Sequence, residues 1–164
     1  RIHVSNDDIK FWKERNISPT VMIDSVRDVF RVSVNGKIAG SAIGQWVKFV
    51  QPVQFLEGYN DLLLLSQAMG LQNSGAFIEK DGAGIRGRIK LTGFKNGDID
   101  LSESLWTYQV GLKGEFLNFY SLEESEKADW TKLSVDAIPS TFTWYKAYFS
   151  SPDGTDPVAI NLGS

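Results

Sequence analysis

Apolar and polar residues alternate with a period of two through much of the chain, and each such run predicts a strand with one face turned inward. Phe30, Val32 and Val34 alternate with Arg31 and Ser33, Asn35-Gly36 follows, and Ile38 and Ala39 come next. Asn-Gly readily takes positive φ at both central positions of a two-residue turn, so this is the strongest hairpin signal in the sequence. Val47, Phe49, Val53 and Phe55 mark a further extended stretch. Pro52 within it predicts an edge or a bend, because proline has no N–H to give to a ladder. A turn at Gly58-Tyr59-Asn60-Asp61 leads into LLLLS (62–66), whose unbroken apolar run predicts a strand covered on both faces.

Further along, Ile85, Gly87, Ile89 and Leu91 fall on one side of a strand and Arg86, Arg88 and Lys90 on the other. Asn96-Gly97 is a second turn. Trp106, Tyr108, Val110 and Leu112 predict another half-buried strand, and Phe116 to Tyr120 one more. Two stretches break the period. Ser5, a good capping residue followed by Asp7 and Asp8, predicts a short surface helix or turn over SNDDIKFWKER (5–15). SLEESEKADW (121–130) is acidic and reads as a connector. Beyond Pro139, TFTWYKAYF (141–149) is strongly β-like; Pro152-Asp153-Gly154 turns the chain into a last alternating stretch of Val158, Ile160 and Leu162. Short strands at regular spacing with turn residues between them predict an all-β, antiparallel β-sandwich rather than a layered α/β fold.

The hexapeptide GAGIRG (82–87) fits G-x-G-x-x-G, the fingerprint of a phosphate-cradling loop. Such a loop must open a helix, whose N-terminal amides and dipole hold the pyrophosphate. Here Arg-Ile-Lys-Leu-Thr-Gly follows, which is strand alternation. The glycines are therefore expected to permit positive φ and close packing at a bend entering a strand.

Composition narrows the chemistry. At 164 residues the chain suffices for one domain, or one and part of another, and a domain of about 150 residues buries roughly 70% of its unfolded surface. The 17 basic residues are scattered along the sequence against 20 acidic ones, for a net charge of −3, which argues against a nucleic-acid partner. With no cysteine and a single histidine, disulfides, thiol chemistry, a multi-histidine metal site and a Ser-His-Asp triad all fall away. No cofactor or metal is expected. Leu62 to Leu65, the longest apolar run, is too short to span a bilayer, and no leader pattern opens the chain. A start at Arg1 within an apparent strand, without Met, predicts a segment of a longer polypeptide.

VSVNGKIAGS (32–41), LLLLSQAMGLQNSGAFIEKDGAGIRGRIKLTG (62–93), DLSESLWTYQVGLKGE (100–115) and TFTWYKAYFSSPDGTDPVAINLGS (141–164) closely resemble the downstream β-domains of plant β-galactosidases, glycoside hydrolase family 35. The resemblance implies a galactose-binding-like jelly roll over 1–120 that lacks an upstream strand, an acidic connector over 121–140, and the first strands of a following jelly roll over 141–164. It implies partners in the parent chain, namely a catalytic (β/α) barrel and neighbouring β-domains, and a secreted location in the cell wall or vacuole. Retaining glycosidases place two carboxyl groups about 5 to 5.5 Å apart. In this family they are glutamates of the barrel, so no catalytic residue is carried over and the segment alone is expected to be inactive. Where many animal and microbial relatives read Gly-Arg-x-Asn-Tyr-Gly, this chain has Gly70-Leu71-Gln72-Asn73-Ser74-Gly75, without the Arg and Tyr.

Binding of galactose or galactan would fall to aromatic and polar side chains, since sugar rings pack C–H faces on indoles and direct hydroxyls to fixed acceptors. Trp46, in IGQWVKF, is the aromatic least explained by alternation: a sugar platform, or else a core-rim or interdomain contact. Asn73 is expected to fix its turn through its own backbone and joins the sugar candidates. Glu79 and Asp81 flank the glycine bend as hydroxyl acceptors or as plain surface charges. Asp98 and Asp100 in NGDID suggest calcium only weakly, lacking the EF-hand spacing. Trp106 and Tyr108 read as core, and Trp12 and Trp130 as contacts to neighbouring domains.

Overall fold

The computed structural model describes residues 1–70, 74–75, 82–134 and 143–161. They form two units, Arg1–Trp106 and Thr107–Ser164. The first is antiparallel and almost entirely β. It runs β1 (Ile2–Val4), α1 (Asn6–Arg15), β2 (Thr20–Val34), β3 (Lys37–Pro52), β4 (Gly58–Asn60), β5 (Leu62–Gln67), β6 (Gly84–Thr92) and β7 (Ile99–Asp100). β1 pairs with β4 in a small sheet, and the other five strands form a larger one.

β2 organises the larger sheet. Its turn into β3 is made by Asn35 (φ 50°) and Gly36 (φ 76°), as the Asn-Gly signal predicts. β3 follows one edge of β2 from Thr20 to Val34. The other edge is shared end to end: β6 pairs with Thr20 to Arg27 and β5 with Val29 to Val34. Among the described residues β3 pairs with β2 alone, and it ends at Pro52, which suits an edge position.

The core lies between the larger sheet and a layer made of β1, α1 and the chain around Val53 and Phe55. Val21, Ile23, Val26, Phe30, Val32 and Leu91 are essentially inaccessible on the sheet side, and Val4, Trp12, Val53 and Phe55 face them. Phe30 and Phe49 meet edge to face at 4.9 Å, as do Trp12 and Phe94 at 5.2 Å. Helix α1 is set by its own N-terminus. The Ser5 hydroxyl accepts from the Asp8 amide, and the Asp8 carboxylate accepts from the Ser5 amide, a reciprocal capping box. Asp8 also accepts the Lys95 amide, and Trp12 donates its indole N–H to the Gly93 carbonyl at 2.7 Å. The helix is thus tied to the turn after β6 at two points.

The structure departs from the sequence expectations in several places. Trp12 is core within this unit, not a contact reserved for another domain, because the i, i+3 spacing of Ile9 and Trp12 turns both inward. β5 is covered on one face only: Leu62 and Leu64 pack on the core, whereas Leu63 is 56% exposed. Trp106 to Leu112 form no strand, and Tyr108 and Val110 are exposed. Trp106 instead donates its indole N–H to the Leu101 carbonyl. In the second unit, α2 (Lys113–Phe116) and the turns after it stand where a strand was expected over 116–120, and α3 (Leu122–Glu126) lies within the acidic stretch. Thr143 to Phe149 carry no ladder pairing among the described residues.

Asp8 titrates in a way that checks the capping arrangement. Burial opposes its ionisation, but the hydrogen bonds from Ser5 and the Lys95 amide outweigh that and hold the carboxyl below its ordinary 3.8. Its contribution is then fully present above about pH 5 and is lost as pH falls through the depressed folded value. Asp8→Ala is expected to lower stability at pH 7 by about 1–2 kcal/mol and to make the acid limb shallower than in the wild type, as read from urea midpoints between pH 7 and 2.5.

Candidate functional site

Backbone irregularities converge at one level of β2. Between Ile23 and Val26 the register against β3 slips by an extra residue on β2, and between Val26 and Asp28 by an extra residue on β3, at Gln45-Trp46. Asp28 (φ 62°) and Trp46 (φ 54°) both occupy the left-handed region. For an indole this is a true outlier, costing on the order of 1–3 kcal/mol unless its surroundings over-determine it. Asp28 is also where the second edge of β2 changes partner: Arg27 pairs with Gly84 of β6, and Val29 with Gln67 of β5. The connection between β5 and β6 therefore leaves and rejoins the sheet on either side of Asp28.

The side chains explain how this is held. The Arg27 guanidinium is 4% exposed, with its Nε 3.6 Å from an Asp28 carboxylate oxygen. The other Asp28 oxygen accepts the Met69 amide at 3.1 Å. Trp46, half-buried, has the Arg86 guanidinium 3.7 Å from its ring centroid and that of Arg27 at 5.6 Å. Cation–π attraction is worth about 0.5–1 kcal/mol for an exposed cation such as Arg86 and up to about 2 kcal/mol for a desolvated one such as Arg27, the same order as the backbone strain. Trp46 is therefore an indole flanked by cations.

The adjoining glycines confirm the strand reading of GAGIRG. Gly84 opens β6, and Gly87 (φ +79°) sits in a bulge opposite Asp24. A Cβ there would lie 2.7 Å from the Asp24 Cβ, and the Asp24 carboxylate takes the Arg88 amide at 2.9 Å. That amide bond, against burial and with help from the Arg88 side chain, holds the Asp24 carboxyl below its ordinary value.

Of the sequence candidates, Trp46 stands at this site, whereas Asn73, Glu79 and Asp81 lie outside the described residues. Asp100 caps a turn: hydrogen bonds from the Ser102 hydroxyl and amide lower its pKa, which leaves that carboxylate engaged internally. His3 meets Tyr59 edge-on at 5.0 Å across β1 and β4. No cluster of three metal-ligating side chains occurs among the described residues, and no helix there is long and apolar enough to cross a membrane. Arg27, Asp28 and Arg86 escaped sequence reasoning. The available signal was Ser25-Val26-Arg27-Asp28-Val29, charges interrupting an otherwise β-branched run. The second unit has a broad hollow of about 1390 Å³ with a mostly apolar lining that includes Trp130, Trp144 and Phe149, and Lys146 lies near Trp130 (5.5 Å) and Tyr148 (5.1 Å).

The strain at Trp46 is open to direct measurement. Replacing it by alanine removes the stacked ring but keeps a Cβ at positive φ; replacing it by glycine removes both. Glycine normally destabilises a strand relative to alanine. Here Trp46→Gly is expected to be more stable than Trp46→Ala by about 1 kcal/mol, with both below wild type, in equilibrium urea unfolding.

No family model matches the chain. Among curated proteins it is similar to Beta-galactosidase 6 of Oryza sativa subsp. japonica, 39% identical over 146 residues that cover 87% of this chain and 17% of the relative. It is also similar to Beta-galactosidase 8 of Arabidopsis thaliana, 41% identical over 142 residues that cover 85% of this chain and 16% of the relative. The chain thus spans less than a fifth of the length of these relatives. Identity of this level across nearly all of the chain, as the quoted motifs led us to expect, means that its curated homologues are plant β-galactosidases, of which it corresponds to one segment.

Proposed function

We propose that this segment is an accessory, non-catalytic β-domain region of a plant β-galactosidase that hydrolyses terminal β-galactosides, lying downstream of the catalytic barrel and supporting it. The observation that carries this reading is the lopsided coverage: 85–87% of the chain aligns with only 16–17% of each relative. The carboxylates add support. A glycosidase acid needs a raised pKa, yet Asp7, Asp8, Asp24 and Asp100 are all shifted down by hydrogen bonds that spend them on caps, turns and ion pairs.

In this reading 1–120 is a galactose-binding-like jelly roll, 121–140 a connector and 141–164 the start of a following jelly roll, and the parent is secreted to the cell wall or vacuole. A rigid sheet face suits a scaffold, because small misplacements of catalytic groups cost large factors in rate. A second reading, a module for galactose or neutral galactan using Trp46 with Asn73, Glu79 and Asp81, draws on the strained placement of Trp46. The guanidinium over its ring competes with a sugar for that surface.

Mixing this chain with the separately produced catalytic segment of the parent is expected to raise the thermal midpoint of the mixture by several degrees and to increase kcat on an aryl β-galactoside. The chain alone is expected to release no galactose. Activity from the pure chain, or no effect on mixing, would refute the accessory role. Saturable heat on titration with neutral galactan, abolished in Trp46→Ala, would favour the second reading instead.

A further inference from the structure

Register and burial sort the side chains of the larger sheet onto two faces. Cross-strand partners share a face, and Ile23, Val26, Phe30 and Val32 define the core side. The opposite face takes Arg31, which alternates with Phe30 and Val32, and Lys90, the partner of Met22. Lys48 falls there too, between Val47 and Phe49, whose partners are Val26 and Ile23. Arg86 precedes this face's Arg88 and follows core-packed Ile85. Trp46 brings Arg27 to Arg86 on the same side. Arg27, Arg31, Lys48, Arg86, Arg88 and Lys90 thus gather on one face of a chain whose net charge is −3.

The acids at this face are engaged. Asp24 binds the Arg88 amide, Asp28 stands against Arg27 and the Met69 amide, and Asp100, the cross-strand partner of Lys90, accepts the Ser102 amide and hydroxyl. Arg86 differs: it is exposed, and the interaction recorded for it among the described residues is the Trp46 ring. A guanidinium with its flat side on an indole keeps its N–H edge for a ligand, in the fork that matches a carboxylate. Arg86, Arg88 and Lys90 follow one another along β6, Arg88 and Lys90 at the strand spacing of about 6.6–6.8 Å and Arg86 beyond the bulge at Gly87.

We propose that this face binds a linear glycan bearing carboxylate groups, with Arg86 as the carboxylate fork and Lys48 and Lys90 as flanking charges. Charge complementarity argues for an anionic ligand, and a row of cations along an extended strand suits a repeating anion. The relatives' names place the family among sugar-active proteins. The Trp46 ring, being covered by Arg86, orients the fork instead of serving as a platform, so neutral sugars are disfavoured. The inference stands independently of the accessory role, whose test on mixing it leaves untouched.

The test is calorimetric titration of the chain at about 20 mM salt with an oligogalacturonate, a neutral galacto-oligosaccharide, poly-glutamate and a single-stranded oligonucleotide. Saturable binding is expected for the oligogalacturonate only, weakening steeply as salt rises. The Arg86→Gln/Lys48→Gln/Lys90→Gln variant should bind at least tenfold more weakly while unfolding at a similar temperature. Should that variant fail to fold, Arg86→Lys keeps the charge without the fork and should lose several-fold. The proposal is overturned by absent binding, by equal affinity for the neutral oligomer, by poly-glutamate or the oligonucleotide binding as tightly, or by unchanged affinity in the variants.

Discussion

β2 is hydrogen-bonded along both edges, to β3 on one side and to β6 and then β5 on the other, and the rest of the first unit is arranged around that obligation. A buried strand must satisfy its amides and carbonyls on both sides, since an unpaired group inside costs about as much as a lost hydrogen bond. Two shorter strands meeting end to end on one edge do this only if the chain can leave between them. Asp28 is that place. Its left-handed conformation opens the ladder, and its carboxylate takes the Met69 amide at the end of β5. The same interruption admits the bulge that throws Trp46 out of register, so the oddest feature of the site follows from the division of one edge.

Burying Arg27 in this opening is tolerable because its charge is answered on two sides, by the Asp28 carboxylate and by the face of Trp46. A desolvated cation without such partners would cost several kcal/mol. The indole in turn is held at an unfavourable φ by the cations on its ring. Removing either member leaves the other strained or desolvated, which is why backbone outliers and buried charge occur together here rather than separately.

Much of the sheet was legible from alternation. Asn35-Gly36 gave the hairpin, Pro52 the edge strand, Ile85 to Leu91 the inward and outward sides of β6, and Ser5 with Asp8 the start of α1. The first half of β2 was not legible, because Asp24, Arg27 and Asp28 interrupt the pattern and each is accommodated by a bulge or a tertiary ion pair that no local rule anticipates. Trp106 to Leu112 failed for the opposite reason. Their alternation is good, but a strand forms only where a neighbour offers a ladder, and none does so among the described residues. At the site, Trp46 was visible as an exception to alternation, whereas Arg27 and Arg86 were brought to it by register.

Charge shows most clearly what linear reading loses. Along the sequence Lys48 is isolated, Arg27 and Arg31 are separated by Asp28, Val29 and Phe30, and Arg86, Arg88 and Lys90 sit in a different segment altogether. Pairing β2 with β3 and β6 brings strands from three parts of the chain to about 4.8 Å spacing, and the period of two then places those cations on one side. Like charges at such spacing repel, and a fold selected for stability alone would intersperse acids among them. Asp24, Asp28 and Asp100 do so only in part, Asp24 being committed to Arg88, Asp28 to Arg27 and the Met69 amide, and Asp100 to Ser102. A sheet face that gathers six cations, one of them a guanidinium laid on an indole, retains an electrostatic cost that an anionic ligand would relieve on binding.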